Sequence, residues 1–334
     1  MITEGIINVN KPKGMTSHRC VQAMRRLVGI KRIGHTGTLD PQVSGVLPIC
    51  IGSTTRIMEY LDLDFKTYRA EMVLGLVTDT QDVWGEPITD VREKLAEYAL
   101  SCEMIRQAFE PYKGLIEQIP PKYSAIKVNG RKLYEYARAG EHVEIKKRNV
   151  FIKDISINEI NLDDYKISFD VVCSKGTYVR TICNDIGEAL GCGGAMSGLV
   201  RLASGVFTIE DAVSLDELNQ MDVHEISKLL KRADYPLVHF GKAVVHHKER
   251  AEWFISGGHL ALDEVFVELQ PEYASEEPPF EIRAEYKKAY NIYVRLNDED
   301  VFLGVAFYNE QYKKLVADKV FCRGLPGGAA NVDF

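Results

Sequence analysis

The chain has 334 residues, of which 46% are hydrophobic and 27% charged, as in a globular protein with one larger and one smaller domain. No apolar run reaches the length of a membrane span, and the N-terminus lacks a basic segment followed by an apolar stretch, so we expect a cytoplasmic protein without membrane contact. The formal net charge is −7, but residues 210–334 carry −9 and residues 1–209 carry +2. The acidic total therefore does not exclude a polyanionic ligand for the first two thirds.

The first elements are predicted to lead into one loop. Residues 5–10 have the pattern of a strand, and Ser17 is expected to cap a helix that stops at Gly29. The loop that follows, residues 32–41, contains two glycines, two threonines and a histidine around a single carboxylate, Asp40. A proline after Asp40 turns its backbone away from the helical region. The loop is therefore predicted to present one acid.

Basic segments flank this loop. Residues 5–39 carry seven cations and no acid, and residues 112–150 carry nine cations against four acids. Two such segments on either side of a lone acid are typical of a protein that binds a polyanion such as nucleic acid. Ordinary solvated faces are the alternative interpretation of the same charges.

Further elements are predicted along the chain. The expected strands cover residues 46–51, 66–74, 143–157 and 165–173, and the expected helices cover 54–61, 91–109 and 181–190. Alternation within 66–74 places Tyr68 on the inner face of its strand. Residues 111–140 are rich in proline, glycine, tyrosine and cations, which predicts an exposed arm. Residues 210–240 are predicted to be helical and to lead into a mostly β C-terminal domain from about residue 241.

Several chemistries find no support. Residues 29–36 have the glycine spacing of a phosphate-binding loop, but His35 stands where that loop requires lysine, and the chain has no G-x-S-x-G elbow. Seven scattered cysteines without a C-x-x-C pair predict reduced thiols and no metal site. What remains is Asp40 and a distant Arg180, which could orient the carboxylate through an ion pair. From the spacing alone, a scaffold salt bridge is the alternative.

The ordered motifs resemble the bacterial TruB family of tRNA pseudouridine synthases over about residues 5–210. The resemblance is carried by residues 10–17, 34–41, 45–48, 68–70, 78–82, 123–127 and 176–180, with Leu202 and Gly205 behind them. Residues 241–334 match weakly and have a net charge of −5. They stand where such enzymes often carry an RNA-binding PUA or PUA-like domain.

The resemblance implies a fold and a reaction. The fold is of the α/β (α+β) pseudouridine-synthase type, with a mixed, largely antiparallel sheet in a catalytic domain over residues 1–240, which includes the basic arm at about 111–150. A small, mostly β, PUA-like or family-specific domain covers 241–334. The reaction is isomerisation of uridine to pseudouridine at position 55 in the T-loop of tRNA, after the base has left the stack and without metal or cofactor. The expected partner is tRNA, and we expect a monomer with no obligate protein partner.

The resemblance also implies roles for individual residues. Asp40 is the catalytic carboxylate, which either attacks the sugar or base or removes a ribose proton. Arg180 orients Asp40, and Tyr68 stacks on the flipped base and can relay a proton. The remaining roles are pocket lining by Tyr178 and Leu202, T-loop binding by His35, and loop support by Lys13, Gly37 and Thr38.

Two other functions stay open at this point. One is a synthase of the same fold that acts on another RNA, and the other is an RNA-binding or RNA-folding module without catalysis. The presence of Asp40, Tyr68 and Arg180 together counts against the second, since binding a phosphate-rich ligand does not need an acid. Whether the purified chain alone modifies a tRNA distinguishes these possibilities.

Overall fold

The computed structural model describes residues 2–275 and 277–325, so residues 326–334 of the predicted C-terminal domain lie outside the described residues. The strands are β1 (Gly5–Lys11), β2 (Ile33–His35), β3 (Ser44–Ile51), β4 (Lys66–Leu74), β5 (Leu76–Thr78), β6 (Pro87–Asp90), β7 (Gly114–Gln118), β8 (Lys127–Val128), β9 (Arg131–Lys132), β10 (Arg148–Asn161), β11 (Lys166–Cys173), β12 (Gly194–Ser204), β13 (Phe207–Thr208), β14 (Val213–Ser214), β15 (Gly241–Val245), β16 (His259–Ala261), β17 (Val265–Leu269), β18 (Ala289–Leu296), β19 (Glu299–Asn309) and β20 (Lys314–Val320).

The described helices contain fewer residues in total than the described strands. The α-helices are α1 (Ser17–Val28), α2 (Cys102–Phe109), α3 (Leu133–Ala139), α4 (Val179–Ala189), α5 (Leu215–Gln220), α6 (Val223–Leu229) and α7 (Lys248–Ile255). The 3-10 helices cover Gly52–Leu63, Arg92–Tyr98, Glu110–Tyr112, Leu262–Glu264 and Ala284–Lys288. Among the described residues, no helix is both long and apolar enough to cross a membrane.

A ten-stranded sheet forms the larger part of the molecule. Its strand order is β14-β1-β3-β12-β4-β11-β10-β7, with β2 added to β3 and β13 added to β12. The β1–β14 and β3–β12 pairs are parallel, and the other pairs are antiparallel. The sheet is therefore mixed and largely antiparallel, as predicted.

The parallel contact between β3 and β12 is short and lies at the centre of the sheet. Only Ser44 and Gly45 of β3 pair with Val200 and Arg201 of β12. Gly45 has a φ of +106°, and a Cβ atom there would lie 2.2 Å from the Arg201 carbonyl oxygen. Glycine therefore allows the strand that follows the Asp40 loop to lie directly against the strand that carries Arg201.

Some predicted helices differ in type or in boundary. The chain over Gly52–Leu63 is a 3-10 helix rather than an α-helix, and the predicted helix over 91–109 is divided into Arg92–Tyr98 and α2. Ala99 separates these two in the left-handed conformation. The predicted exposed arm contains an edge strand, β7, which pairs with β10. The apolar spacing over Gly52–Leu63 and Arg92–Tyr98 predicts a helix but does not distinguish an α-helix from the tighter 3-10 helix.

A six-stranded sheet, in the order β16-β20-β19-β18-β15-β17, begins at Gly241. This sheet accounts for the predicted β character of the C-terminal part. The two sheets share one apolar cluster, in which Tyr60 from the 3-10 helix packs edge-on against Phe240, Tyr286 and Phe307. The C-terminal sheet is therefore packed against the segment that leads into β4.

Candidate active site

The Asp40 loop is held through the main chain on both sides of the carboxylate. Ser17 Oγ donates to the Leu39 carbonyl oxygen at 3.1 Å and accepts from the Leu39 amide at 2.9 Å. The Pro41 carbonyl oxygen accepts from the Gly14 amide at 2.7 Å. The Asp40 side chain itself remains 50% exposed. The loop thus fixes its backbone and leaves the acid accessible.

Lys11, at the end of β1, completes this support from within the protein. Its side chain is fully buried, and Nζ donates to the carbonyl oxygens of Met15 at 2.6 Å, Pro12 at 2.9 Å and Pro41 at 3.3 Å. Burial lowers the pKa of Lys11, while the nearby charge of Asp40 acts in the opposite direction.

Loop support by Lys13 stays a prediction, since the side-chain contacts to the loop come from Lys11. Lys13 is exposed, and its Nζ lies over the Trp84 ring, 5.0 Å from the centroid. Lys11 makes the contacts to the loop because its side chain points into the sheet, whereas Lys13 lies in the turn after β1.

Arg180, in the first turn of α4, joins two loops at the carboxylate. Its Nη2 lies 3.1 Å from Asp40 Oδ2 and its Nη1 lies 3.5 Å from Asp82 Oδ2. The guanidinium also donates to the carbonyl oxygens of Thr80 and Tyr123, at 3.2 Å each, and the side chain is 8% exposed. Arg180 is therefore oriented from several sides before it meets Asp40.

Tyr68 and Arg201 face each other across adjacent strands, β4 and β12, in register. Arg201 is fully buried, and it donates from Nε to the Val46 carbonyl oxygen at 2.7 Å and from Nη2 to the Gly37 carbonyl oxygen at 3.3 Å. Burial raises the pKa of Tyr68, so its hydroxyl keeps its proton at neutral pH. The charge of Arg201 acts on Tyr68 and opposes the effect of burial on its pKa.

These groups surround one cavity of about 480 Å³. The predicted site residues that line it are Gly37, Thr38, Asp40, Tyr68, Tyr178 and Arg180. Tyr178 is fixed by the Gln118 side chain, which donates to its carbonyl oxygen at 3.0 Å and accepts from its amide at 2.8 Å. The structure therefore brings residues from three distant parts of the sequence to one place.

Leu202 and His35 do not line this cavity. Leu199 and Arg201 face it from β12 instead of Leu202, because alternate side chains of a strand point to opposite faces. His35 lies on β2, and its Nδ1 atom is buried with no hydrogen-bond partner among the described residues. Burial lowers the pKa of His35, and the charge of Arg201 lowers it further.

The sequence analysis did not predict four residues as members of the site: Lys11, Ser17, Asp82 and Arg201. Lys11 and Arg201 had a detectable signal, since each is a cation within a strand of mainly apolar or small residues. Ser17 and Asp82 act through contacts across the fold, which sequence spacing does not reveal. Among the described residues, no group of three or more His, Cys, Asp or Glu is arranged to hold a metal ion.

Comparison with known families places this geometry in context. Residues 25–179 match the TruB family pseudouridylate synthase (N terminal domain), and residues 180–237 match the tRNA pseudouridylate synthase B C-terminal domain. The chain is 48% identical over 241 residues to the tRNA pseudouridine synthase B of Alkaliphilus oremlandii, covering 72% of this chain and 78% of that protein. It is 43% identical over 290 residues to the tRNA pseudouridine synthase B of Geobacillus thermodenitrificans, covering 85% and 95%.

Solved structures extend the similarity in fold to the C-terminal part. A chain from an H/ACA RNP bound to a substrate RNA containing 2'-deoxyuridine superposes with a TM-score of 0.66 at 24% identity, over 95% of this chain and 85% of that chain. A chain from an archaeal box H/ACA sRNP Nop10-Cbf5 complex gives 0.64 at the same identity. The solved structures show the fold alone, whereas the two family models and the curated relatives show that the chain belongs to the TruB family of tRNA pseudouridine synthases.

Proposed function

We propose that this chain isomerises uridine to pseudouridine at position 55 in the T-loop of tRNA. The supporting observation is the half-exposed Asp40 at a cavity of about 480 Å³, with Arg180 on the carboxylate and Tyr68 opposite. The cavity is within the size range of small-ligand sites, so it can hold one extruded nucleotide. The curated relatives, all named tRNA pseudouridine synthase B, support tRNA as the substrate.

The reaction breaks the bond between ribose C1' and uracil N1 and forms a bond between C1' and C5. The C5 proton is lost and N1 gains a proton, so the overall change is an isomerisation. The base must leave the helical stack to expose these atoms. Asp40 either attacks the sugar or base or removes a ribose proton, while Arg180 orients it. The Tyr68 ring supports the base, and its protonated hydroxyl is available as a donor.

The proposal is tested by incubating the purified chain with unmodified tRNA and mapping any pseudouridine. We expect the Asp40→Asn variant to form no product while its affinity for RNA stays within a few fold, because the amide keeps the shape and loses nucleophilicity and basicity. Asp90→Asn is the matched control. Asp90 ends an exposed strand outside the cavity, and its carboxylate forms an ion pair with Arg92.

Three results would contradict the proposal. Turnover of Asp40→Asn near the wild-type rate would remove the carboxylate from the mechanism. A wild-type chain that binds tRNA without modifying it would favour the RNA-folding function, and modification of another RNA alone would favour a different substrate.

We further propose that the chain acts in the cytoplasm as a monomer, with no obligate protein partner. Asp40, Tyr68, Tyr178 and Arg180 all come from one chain and line one cavity, which supports this. Residues 1–240 are proposed as the catalytic domain and 241–334 as a PUA-like or family-specific domain. Light scattering of the purified chain and activity without added protein test the monomer.

A further inference from the structure

Trp84 and Lys13 form an exposed pair close in sequence to Asp82 and Gly14, which contact Arg180 and the Asp40 loop. Lys13 Nζ lies 5.0 Å from the centroid of the Trp84 ring, although the two residues are far apart in sequence. Trp84 remains 39% exposed, so part of its side chain is accessible to a ligand. Trp84 has no role assigned above, and Lys13 has only the predicted loop support.

The turn that carries Trp84 is rigid and connected to Asp40. The Trp84 amide donates to Asp82 Oδ1 at 3.1 Å, and Asp82 Oδ2 lies 3.5 Å from the Arg180 guanidinium that contacts Asp40. The neighbouring Val83 amide donates to the Met196 carbonyl oxygen on β12 at 2.9 Å. The indole is thus mounted on a segment that also helps to position the catalytic acid.

Lys13 approaches from the opposite side of the same acid. The next residue, Gly14, donates its amide to the Pro41 carbonyl oxygen at 2.7 Å. The Trp84–Lys13 contact therefore joins the two segments that hold Asp40. Lys13 belongs to residues 5–39, which carry seven cations and no acid.

We propose that Trp84 and Lys13 are a stacking platform for an unpaired nucleobase of the tRNA that lies next to the flipped uridine. This inference rests on the proposed function and adds to it a second base-binding position. An aromatic face accepts any base, and a lysine over the ring supplies charge for the adjoining phosphate. Flipping one base leaves its neighbour without a stacking partner, and an exposed indole replaces that partner.

The first measurement is affinity for an unmodified T-arm stem-loop RNA in an Asp40→Asn background, in which the RNA is not consumed. Loss of a base–aromatic stack in Trp84→Ala is expected to weaken binding about tenfold, and Trp84→Phe, which keeps a ring, is expected to stay within about threefold. Trp253→Ala is the matched control. Trp253 is also exposed, at 47%, and lies on α7, a helix of the C-terminal part of the chain.

The second measurement reports contact directly. The chain has two tryptophans, so Trp253→Phe leaves Trp84 as the sole indole emitter. Stacking of a base on Trp84 is expected to quench its fluorescence when the stem-loop is added. An abasic nucleotide is then placed at each unpaired position in turn, and we expect the quenching to be lost at one position. The abasic nucleotide at that position should weaken RNA binding in the chain that carries Trp84 and should have no effect in Trp84→Ala.

The outcomes separate this inference from the proposed function. Equal affinity of Trp84→Ala and Trp253→Ala, or fluorescence of Trp84 that does not change on binding, overturns the platform even if the wild-type chain forms pseudouridine. Quenching and a tenfold loss in Trp84→Ala support the platform. If both results are obtained but the wild-type chain forms no pseudouridine in tRNA, the proposed function alone is contradicted.

Discussion

The hydroxyl of Ser17 makes two hydrogen bonds to Leu39, the residue before the proposed catalytic acid Asp40, so it can position Asp40 without touching substrate. Ser17→Ala removes both bonds and leaves buried backbone groups unsatisfied, which costs about 1–3 kcal/mol. We expect kcat to fall more than tenfold with little change in KM, because the displaced carboxylate acts in the chemical step.

Thr16→Ala is the control for Ser17→Ala, since it removes a neighbouring hydroxyl. The Thr16 side chain accepts from the Arg19 amide at 3.2 Å and caps α1. Its loss should lower the free energy of unfolding by about 1 kcal/mol without changing kcat. Single-turnover rates and thermal melts on both variants decide the matter, and equal rates would assign Ser17 to stability alone.

Tyr68 lines the cavity and pairs in register with Arg201 on the adjacent strand. If the ring stacks on uracil, Tyr68→Phe should keep RNA affinity, and Tyr68→Leu should lose much of the roughly 1–3 kcal/mol of a base–aromatic contact. Loss of rate in Tyr68→Phe with binding intact would assign the hydroxyl to proton transfer. A destabilised Tyr68→Leu whose folded fraction turns over normally would instead indicate simple core packing.

At the scale of elements, the 3-10 helix over Gly52–Leu63 ends in a charged cluster that connects it to the C-terminal part. Buried Asp64 lies 3.6 Å from His239 Nε2, and Glu272 contacts His239 Nδ1. Burial by itself lowers the pKa of His239, but the hydrogen bonds to Asp64 and Glu272 outweigh it and raise the pKa. The folded state therefore binds the His239 proton more tightly than the unfolded chain does.

This cluster predicts a pH dependence of stability. A pKa raised by folding gives stabilisation that is complete below the unfolded value, about 6.5, and is lost as the pH rises through the higher folded value. The melting temperature should therefore decrease above about pH 6.5, and His239→Gln should make this decrease smaller. Exposed His246→Gln serves as the control, and identical pH profiles for all three proteins would exclude the cluster as the cause.

At the scale of the whole molecule, the aromatic cluster predicts that the two sheets unfold together. Tyr286 is fully buried against Tyr60, and its hydroxyl donates to the Glu59 carbonyl oxygen at 2.6 Å. Urea unfolding followed by Trp84 alone or by Trp253 alone should give the same midpoint. Tyr286→Ala should lower stability by about 3–5 kcal/mol and separate the midpoints, whereas separate midpoints in the wild-type chain would contradict a shared core.

The sequence predicted most of this organisation and missed specific contacts. Alternation in β4 and the start of the second sheet at Gly241 were predictable, because they depend on apolar patterning along the chain. The cap of α1 was assigned to Ser17 instead of Thr16, since both residues can cap and only the fold shows that Ser17 is occupied by Leu39. Leu202 was implied by the resemblance, and Leu199 was missed because local sequence does not fix which face of β12 lines the cavity.

The hydrogen bonds that hold the loop around residue 40 are made to main-chain atoms of Leu39 and Pro41. The side chain at residue 40 can therefore be replaced without losing these bonds. A longer acid, an amide or a thiol can be mounted there without disturbing what holds the loop, so reactive replacements can be compared on one unchanged support. Over evolutionary time the same independence has a cost. Under the proposed function, a single codon change at residue 40 abolishes catalysis and leaves RNA binding intact, so descent from such a chain does not guarantee that a descendant still modifies RNA.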